Sequence, residues 1–120
     1  NYNDKFYVFG GYISGRYLDS SEVYDPKKDK WEKLPSMPTS RCGIVCAELD
    51  GRIYVIGGES SLGYLRTVEI YNPKTKKWTT GEPLLIPTGY ATCEVVGNKI
   101  YVIGGRNSNT TYNTVQIYQP

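Results

Sequence analysis

Few side chains of this protein could do covalent or acid–base chemistry. Its 120 residues include three cysteines and twelve aspartates and glutamates, but no histidine. The commonest general base and metal ligand is therefore missing, and with it the Ser/His/Asp and Cys/His arrangements of nucleophilic catalysis. Glu59 is the carboxylate best placed for a site, but no second acid is paired with it as glycoside hydrolysis requires. We expect no catalytic residue, no metal site and no cofactor, and hence no enzyme.

The three cysteines are Cys42, Cys46 and Cys93, and each lies in an apolar segment. Their number is odd and small for a disulfide framework. We predict buried, reduced thiols, which are typical of a cytoplasmic or nuclear protein. A second interpretation makes Cys42 a reactive thiol activated by its neighbour Arg41. Plain packing is the favoured reading.

The sequence repeats itself with an offset of 47 residues. The offset relates glycine pairs, tyrosines and tryptophans: Gly10–Gly11, Gly57–Gly58 and Gly104–Gly105; Tyr7, Tyr54 and Tyr101; Trp31 and Trp78. Such a period indicates stacked supersecondary units. We divide the chain into a partial copy at 1–40, a whole copy at 41–87 and a partial copy at 88–120. We expect either a segment of a longer domain or two chains that complete each other.

One whole copy predicts four strands. They are 42–49, 52–58, 67–73 and a short strand at Trp78, and Asp50–Gly51 forms a tight hairpin turn between the first two. The run 53–56 is apolar without alternation, which indicates a strand buried on both faces. No segment has a helical period. The prediction is an all-β domain of four-stranded antiparallel units packed face to face, as in a β-propeller.

The repeated motifs resemble the kelch-repeat β-propeller family. A tyrosine-bearing strand ends in a glycine pair in FYVFGG, RIYVIGG and KIYVIGG, and EVYDP, EIYNP and QIYQP follow, with Trp31 and Trp78 after the first two. The resemblance implies a kelch-type propeller segment of about two and a half blades. It also implies that Tyr54 and Trp78 pack between blades. The chain departs from the family pattern at Phe9, Thr88 and Gln119.

In an antiparallel meander, the loops after the second strand and after the fourth strand share one edge. These are 12–20, 59–66 and 106–113, and 34–41 and 81–88. They are polar and rich in Tyr and Arg, the usual anchors of protein interfaces. We predict that partners bind there, through Tyr12, Arg16, Tyr17, Arg41, Glu59, Tyr64, Arg66, Arg106, Asn107, Ser108 and Tyr112. The alternative is that these are solvated loop residues.

By resemblance, the chain is the substrate-recognition part of a BTB-kelch adaptor for a cullin ubiquitin ligase, and it binds a peptide segment of its partner. The family's peptide contacts fall on Tyr12, Glu59 and Arg106, and on Arg41, Cys42 and Thr88. Alternatives are an actin-binding or cytoskeletal kelch protein and an enzymatic propeller, such as a sugar mutarotase or a lyase-like protein.

The remaining partner predictions rest on charge, hydropathy and ring closure. The net charge is only +2, and the lysine-rich turns at the opposite edge lack interleaved aromatic residues, so we expect no nucleic acid. No apolar run approaches the roughly 20 residues of a membrane span, so we expect no membrane. Six-bladed closure, common in the family, predicts that a homodimer could complete the ring.

Overall fold

The computed structural model describes residues 1–120 and contains fourteen β-strands and no helix. In chain order the strands are β1 (Phe6–Phe9), β2 (Tyr12–Ile13), β3 (Arg16–Tyr17), β4 (Ser21–Asp25), β5 (Lys30–Lys33), β6 (Val45–Leu49), β7 (Arg52–Ile56), β8 (Glu59–Ser60), β9 (Gly63–Tyr64), β10 (Val68–Asn72), β11 (Lys77–Thr80), β12 (Thr92–Val96), β13 (Lys99–Ile103) and β14 (Val115–Tyr118). No helix is present that could cross a bilayer. The all-β prediction is confirmed.

Three antiparallel sheets follow one another along the chain. Sheet 1 has the order β1-β4-β5, sheet 2 the order β6-β7-β10-β11 and sheet 3 the order β12-β13-β14. Two small hairpins, β2–β3 and β8–β9, follow the glycine pairs of the first two copies. Sheet 2 is the four-stranded unit predicted for one whole copy. The first strands of sheets 2 and 3, β6 and β12, lie side by side, so the two sheets spread outward from a shared inner edge.

The turn between β6 and β7 has the predicted geometry. Asp50 and Gly51 both have positive φ, 52° and 74°, as a two-residue hairpin turn of the favoured type requires. The pairing runs from Leu49 opposite Arg52 to Val45 opposite Ile56. The strand predicted at 42–49 is therefore shorter than expected. Gly43, with φ of 62°, interrupts the extended backbone before Val45.

Sheet 2 is buried on both faces, as the apolar run 53–56 predicted. One core cluster lies between sheets 1 and 2 and contains Phe9, Ile53 and Tyr71. The other lies between sheets 2 and 3 and contains Tyr54 and Tyr118. Burying one large apolar side chain contributes about 1.5–3 kcal/mol, so these two interfaces hold the sheets together.

The repeated aromatic residues of sheet 2 pack against its two neighbouring sheets. The Trp78 ring lies 5.5 Å from the Phe9 ring of sheet 1, and its indole N–H donates to the Pro35 carbonyl at 2.9 Å. The Tyr54 ring lies 6.1 Å from the Tyr118 ring of sheet 3. The structural role predicted for Tyr54 and Trp78 is confirmed.

The glycine pair of the second copy lies where the backbones of neighbouring sheets meet. Gly58 has a φ of 99° and donates its N–H to the Thr88 carbonyl at 2.8 Å. A Cβ on Gly58 would lie 2.5 Å from the carbonyl oxygen of Cys42. Glycine is needed here because both the space and the left-handed backbone exclude a side chain.

The outer faces of sheets 1 and 3 have no sheet packed on them. On sheet 1, Phe6 and Val8 are each 50% exposed. On sheet 3, Val115 and Ile117 are 52% and 58% exposed. Both faces are apolar surfaces of the kind that normally mark an interface.

Candidate partner-binding face

The predicted loops do meet at one edge of the sheets. Cys42 and Glu59 exchange two backbone hydrogen bonds of 3.0 and 2.8 Å, and Gly89 and Arg106 repeat this pairing one copy later at 2.9 Å. We call this edge the loop face; it comprises residues 12–20, 34–43, 59–66, 81–90 and 106–113. Its backbone is held by ordered hydrogen bonds, so its side chains are displayed from a fixed frame.

Arg41 does not lie on the exposed surface where the sequence predicted it. The side chain is wholly buried. Its guanidinium donates to Glu69 Oε1 at 2.7 Å and to the carbonyls of Gly57 and Thr67 at 3.0 and 3.1 Å. Desolvation lowers the pKa of Arg41, and the charge of Glu69 opposes that shift. The pair fixes the segment before β6 onto sheet 2, and it leaves no guanidinium to activate Cys42.

The next copy replaces this ion pair with a neutral one. Thr88 and Gln116 stand 47 residues after Arg41 and Glu69, and the Gln116 amide donates to Thr88 Oγ1 at 2.8 Å. Thr88 is buried too, so its side chain is not exposed for the peptide contact that the family resemblance implied. The departure at Thr88 is matched by the change of its partner to an amide.

Several predicted site residues lie fully or partly exposed on the loop face. The Tyr12 and Tyr17 rings meet edge to face at 5.0 Å across the β2–β3 hairpin, beside exposed Arg16. Tyr64 is half-buried, at the end of the β8–β9 hairpin. Arg106 is exposed at the start of the last loop. A partner-binding role for these residues stays a prediction.

Of four other predicted residues, three form hydrogen bonds to the backbone of the loops. Arg66 Nε donates to the Leu84 carbonyl at 2.7 Å, and the Tyr112 hydroxyl donates to the Pro87 carbonyl at 3.1 Å. Asn107 Oδ1 accepts the backbone N–H groups of the two residues 109 and 110, while Ser108 is exposed. The hydrogen bonds of Arg66, Tyr112 and Asn107 therefore help to fix the conformation of the loops. A partner-binding role for these residues and for Ser108 stays a prediction.

At the centre of the loop face lies a cluster of Glu59, Tyr90 and Cys42. The Tyr90 hydroxyl donates to Glu59 Oε1 at 3.0 Å and lies 3.4 Å from Cys42 Sγ. The Tyr90 and Tyr64 rings meet edge to face at 6.3 Å. The hydrogen bond with Cys42, desolvation and the Glu59 carboxylate all raise the pKa of Tyr90. The phenol therefore stays protonated and keeps donating to the carboxylate.

Sequence reasoning missed Tyr90, although the repeat contained a signal. Tyr90 stands 47 residues after Gly43, and both adopt the left-handed backbone, with φ of 57° and 62°. An aromatic residue there is strained by about 1–3 kcal/mol, and such strain clusters at functional sites. A Cβ on Gly43 would lie 2.8 Å from the Tyr90 ring, so Gly43 makes room for it. A Gly-to-Tyr change between copies was the available clue.

The cysteines are less buried than predicted. All three are free thiols, but Cys46 is exposed, and Cys42 and Cys93 are half-buried. In β6 the buried positions alternate and fall on Val45, Ala47 and Leu49, which turns Cys46 away from the core. Cys93 Sγ donates to the Cys46 carbonyl at 3.3 Å. The structure contains no group of three His, Cys, Asp or Glu side chains that could hold a metal ion.

One four-stranded and two three-stranded antiparallel sheets bury their faces against one another and place their loops on one side, which is the arrangement of β-propeller blades. The model of the KLHDC2/KLHL20/DRC7 Kelch-repeats domain matches residues 1–120. The chain belongs to this kelch-repeat family. Kelch-repeat domains generally mediate protein–protein interactions and are typically not enzymes.

Curated relatives share parts of the chain. An Arabidopsis thaliana protein, F-box/kelch-repeat protein At1g22040, is 47% identical over 47 residues, which are 36% of this chain and 10% of that protein. Kelch-like protein 15 of Danio rerio is 42% identical over 60 residues, and that of Homo sapiens 40%. These 60 residues are 44% of this chain and 10% of each relative. The matches thus span about a tenth of the length of these relatives.

Proposed function

We propose that this chain is a protein-interaction module whose loop face binds a short peptide segment of a partner protein. The proposal rests on a contrast between the strands, which the copies share, and the loop face, at which the copies differ. The copies keep the same strands, glycine pairs and packed aromatics, yet they differ at the loop face, where Tyr12, Tyr17, Tyr64 and Tyr90 are displayed. Tyrosines add contact area and directional hydrogen bonds together, and they are enriched at interfaces.

The finer proposal is that the chain recognises substrates for a cullin ubiquitin ligase as part of a BTB-kelch adaptor. Family membership and the likeness to proteins named Kelch-like protein 15 support it. The likeness to proteins named F-box/kelch-repeat protein supports a broader role, in which kelch repeats bind a partner in a protein that also contains a different domain. No contact in the structure favours a cytoskeletal or an enzymatic role over this one.

The apolar outer faces of sheets 1 and 3 support a further part of the proposal. Exposed Phe6, Val8, Val115 and Ile117 would be covered if a second copy of the chain closed a six-bladed ring. The homodimer predicted from sequence stays a prediction, as does the cytoplasmic or nuclear location.

The binding proposal is tested by selecting peptides from a displayed random library on the full chain. The selected peptides are then titrated against Tyr64→Ala and Tyr12→Ala on the loop face, and against Lys28→Ala and Lys74→Ala in the turns of the opposite edge. Loss of a buried interface tyrosine weakens binding by about 2 kcal/mol or more, roughly thirtyfold. We expect that loss for at least one tyrosine variant and less than a twofold change for the lysine variants. The reverse pattern, or a library that yields no binder, contradicts the proposal.

A further inference from the structure

The Glu59 carboxylate is fixed in position but incompletely paired. Its backbone is held by two hydrogen bonds to Cys42, and its Oε1 accepts the Tyr90 hydroxyl at 3.0 Å. The one side-chain hydrogen bond of ordinary length to this carboxylate is the Tyr90 bond to Oε1, the Tyr17 hydroxyl lies near enough for a weaker one, and no Lys or Arg nitrogen lies within 4.0 Å of either oxygen. The residue is half-buried. A half-buried, preoriented carboxylate without a cationic partner is prepared to accept one from outside.

Aromatic side chains surround this carboxylate. Tyr90 touches it directly, and Tyr64 lies edge to face against Tyr90. Tyr17 belongs to the β2–β3 hairpin, and desolvation, the charge of Glu59 and a weak hydrogen bond to Glu59 raise the pKa of its hydroxyl. Side chains from all three copies thus converge on one point. Tyrosine faces attract cations within about 6 Å of the ring centroid, so rings and carboxylate favour the same ligand charge.

We propose that Glu59, Tyr90, Tyr64 and Tyr17 form a subsite for an arginine side chain of the bound peptide. The guanidinium donates to Glu59 Oε2, and its planar face lies on a tyrosine ring. Arginine fits better than lysine because its flat, weakly hydrated fork can bond a carboxylate and stack on an aromatic ring at once. The inference deepens the proposed function and rests on it, since it names the peptide chemistry that this part of the loop face selects.

The position of Arg106 limits where along the loop face a peptide arginine can bind. Arg106 occupies the place in the third copy that Glu59 occupies in the second, and it makes the same backbone pairing. Neighbouring blades therefore present opposite charges at equivalent points. A peptide with arginine at one position is attracted to the Glu59 subsite and repelled from the Arg106 subsite, which fixes its register.

The test uses two acetylated, amidated tripeptides, Gly-Arg-Gly and Gly-citrulline-Gly, titrated into the full ¹⁵N-labelled chain. Citrulline keeps the shape of arginine but replaces the guanidinium with a neutral urea. We expect the arginine peptide to shift the amide resonances of Glu59, Tyr64 and Tyr90, and to bind at least about tenfold more tightly than the citrulline peptide, the usual worth of a hydrogen bond to a charged group. Equal affinity for the two peptides overturns the inference.

Two variants give independent readings. Glu59→Gln can still accept the Tyr90 hydroxyl and keeps the side-chain shape, yet it should weaken the arginine peptide about tenfold. Tyr64→Leu should weaken it roughly two- to fivefold by removing one ring. Glu82→Gln is the matched control, because Glu82 is an exposed carboxylate on the same face outside the subsite, and it should change affinity less than twofold. An effect of Glu82→Gln as large as that of Glu59→Gln would contradict a specific subsite.

The library selection separates this inference from the proposed function. Selected peptides that bind the loop face but carry no arginine, and that bind Glu59→Gln as well as the unmodified chain, would support the proposed function and overturn the arginine subsite. A chain that selects no peptide and binds neither tripeptide would overturn both. Enrichment of arginine that disappears when Glu59→Gln is used for selection supports both.

Discussion

Exchanging the buried ion pair of sheet 2 for the neutral pair of sheet 3 gives a quantitative test of how the loop face is held. The change is Arg41→Thr with Glu69→Gln, which copies Thr88 and Gln116 from one repeat later. Arg41→Thr alone strands a Glu69 carboxylate that is 2% exposed and keeps only the 2.6 Å hydrogen bond from Thr39 Oγ1. Stranding a buried charge costs about 3–5 kcal/mol. Glu69→Gln alone leaves the wholly buried guanidinium with its carbonyl bonds but without a counter-charge, so it also costs about 3–5 kcal/mol.

The double variant should be far more stable than the sum of the single changes implies. The amide and hydroxyl can bond each other as Gln116 and Thr88 do at 2.8 Å, leaving mainly the cavity of the lost arginine stem. We expect a coupling free energy of at least about 2 kcal/mol in the double-mutant cycle. Urea unfolding followed by tryptophan fluorescence measures all four proteins.

The matched control is the exposed ion pair between Lys76 and Glu32, 3.2 Å long with both side chains more than half exposed. Lys76→Met should change the free energy of unfolding by less than about 1 kcal/mol. Additivity of the two sheet 2 changes within about 0.5 kcal/mol would refute the claim that Arg41 and Glu69 act as one unit.

Three further predictions concern Tyr90, the glycine pair and the outer faces. Folding raises the pKa of Tyr90 above its ordinary value of 10.0. The contribution of Tyr90 to the free energy of unfolding is therefore full below that pH and is lost at higher pH. In urea unfolding measured from pH 8 to 11, Tyr90→Phe should reduce the loss of stability at alkaline pH. Gly58→Ala should destabilise the chain by more than about 2 kcal/mol through its clash with the Cys42 carbonyl. Gly63→Ala, with a φ of 111° but open space around it, should cost only the backbone strain of about 1–2 kcal/mol; equal losses would contradict the close approach of Gly58 to Cys42. Light scattering over a concentration series should give a molar mass twice the 13.5 kDa of one chain. Phe6→Lys, on the exposed outer face of sheet 1, should shift this mass towards that of a monomer. A monomeric mass for the unmodified chain at all concentrations would refute the dimer.

The repeat made most of the fold predictable from sequence. The 47-residue offset, the Asp50–Gly51 turn and the apolar run 53–56 together predicted a four-stranded unit buried on both faces, and sheet 2 has that form. These signals are local, or they recur at a fixed spacing, so they can be read without knowing which residues meet in space.

The loop face was only partly predictable because its contacts join distant residues. Arg41 stands in a polar segment and reads as exposed; its burial depends on Glu69, 28 residues away. Tyr90 reads as an ordinary surface aromatic until Glu59 is found 31 residues earlier at hydrogen-bond distance. Cys46 could have been placed correctly, because Glu48 two positions later marks the outward side of the same strand.

Peptide binding to the loop face is tested most directly by amide hydrogen exchange of the full chain with and without a library-selected peptide. We expect this binding to add protection at 12–20, 59–66, 81–90 and 106–113, the loop-face segments that carry the proposed contacts. Protection confined to the lysine-rich turns at 26–30 and 73–77, at the opposite edge of the sheets, would contradict it.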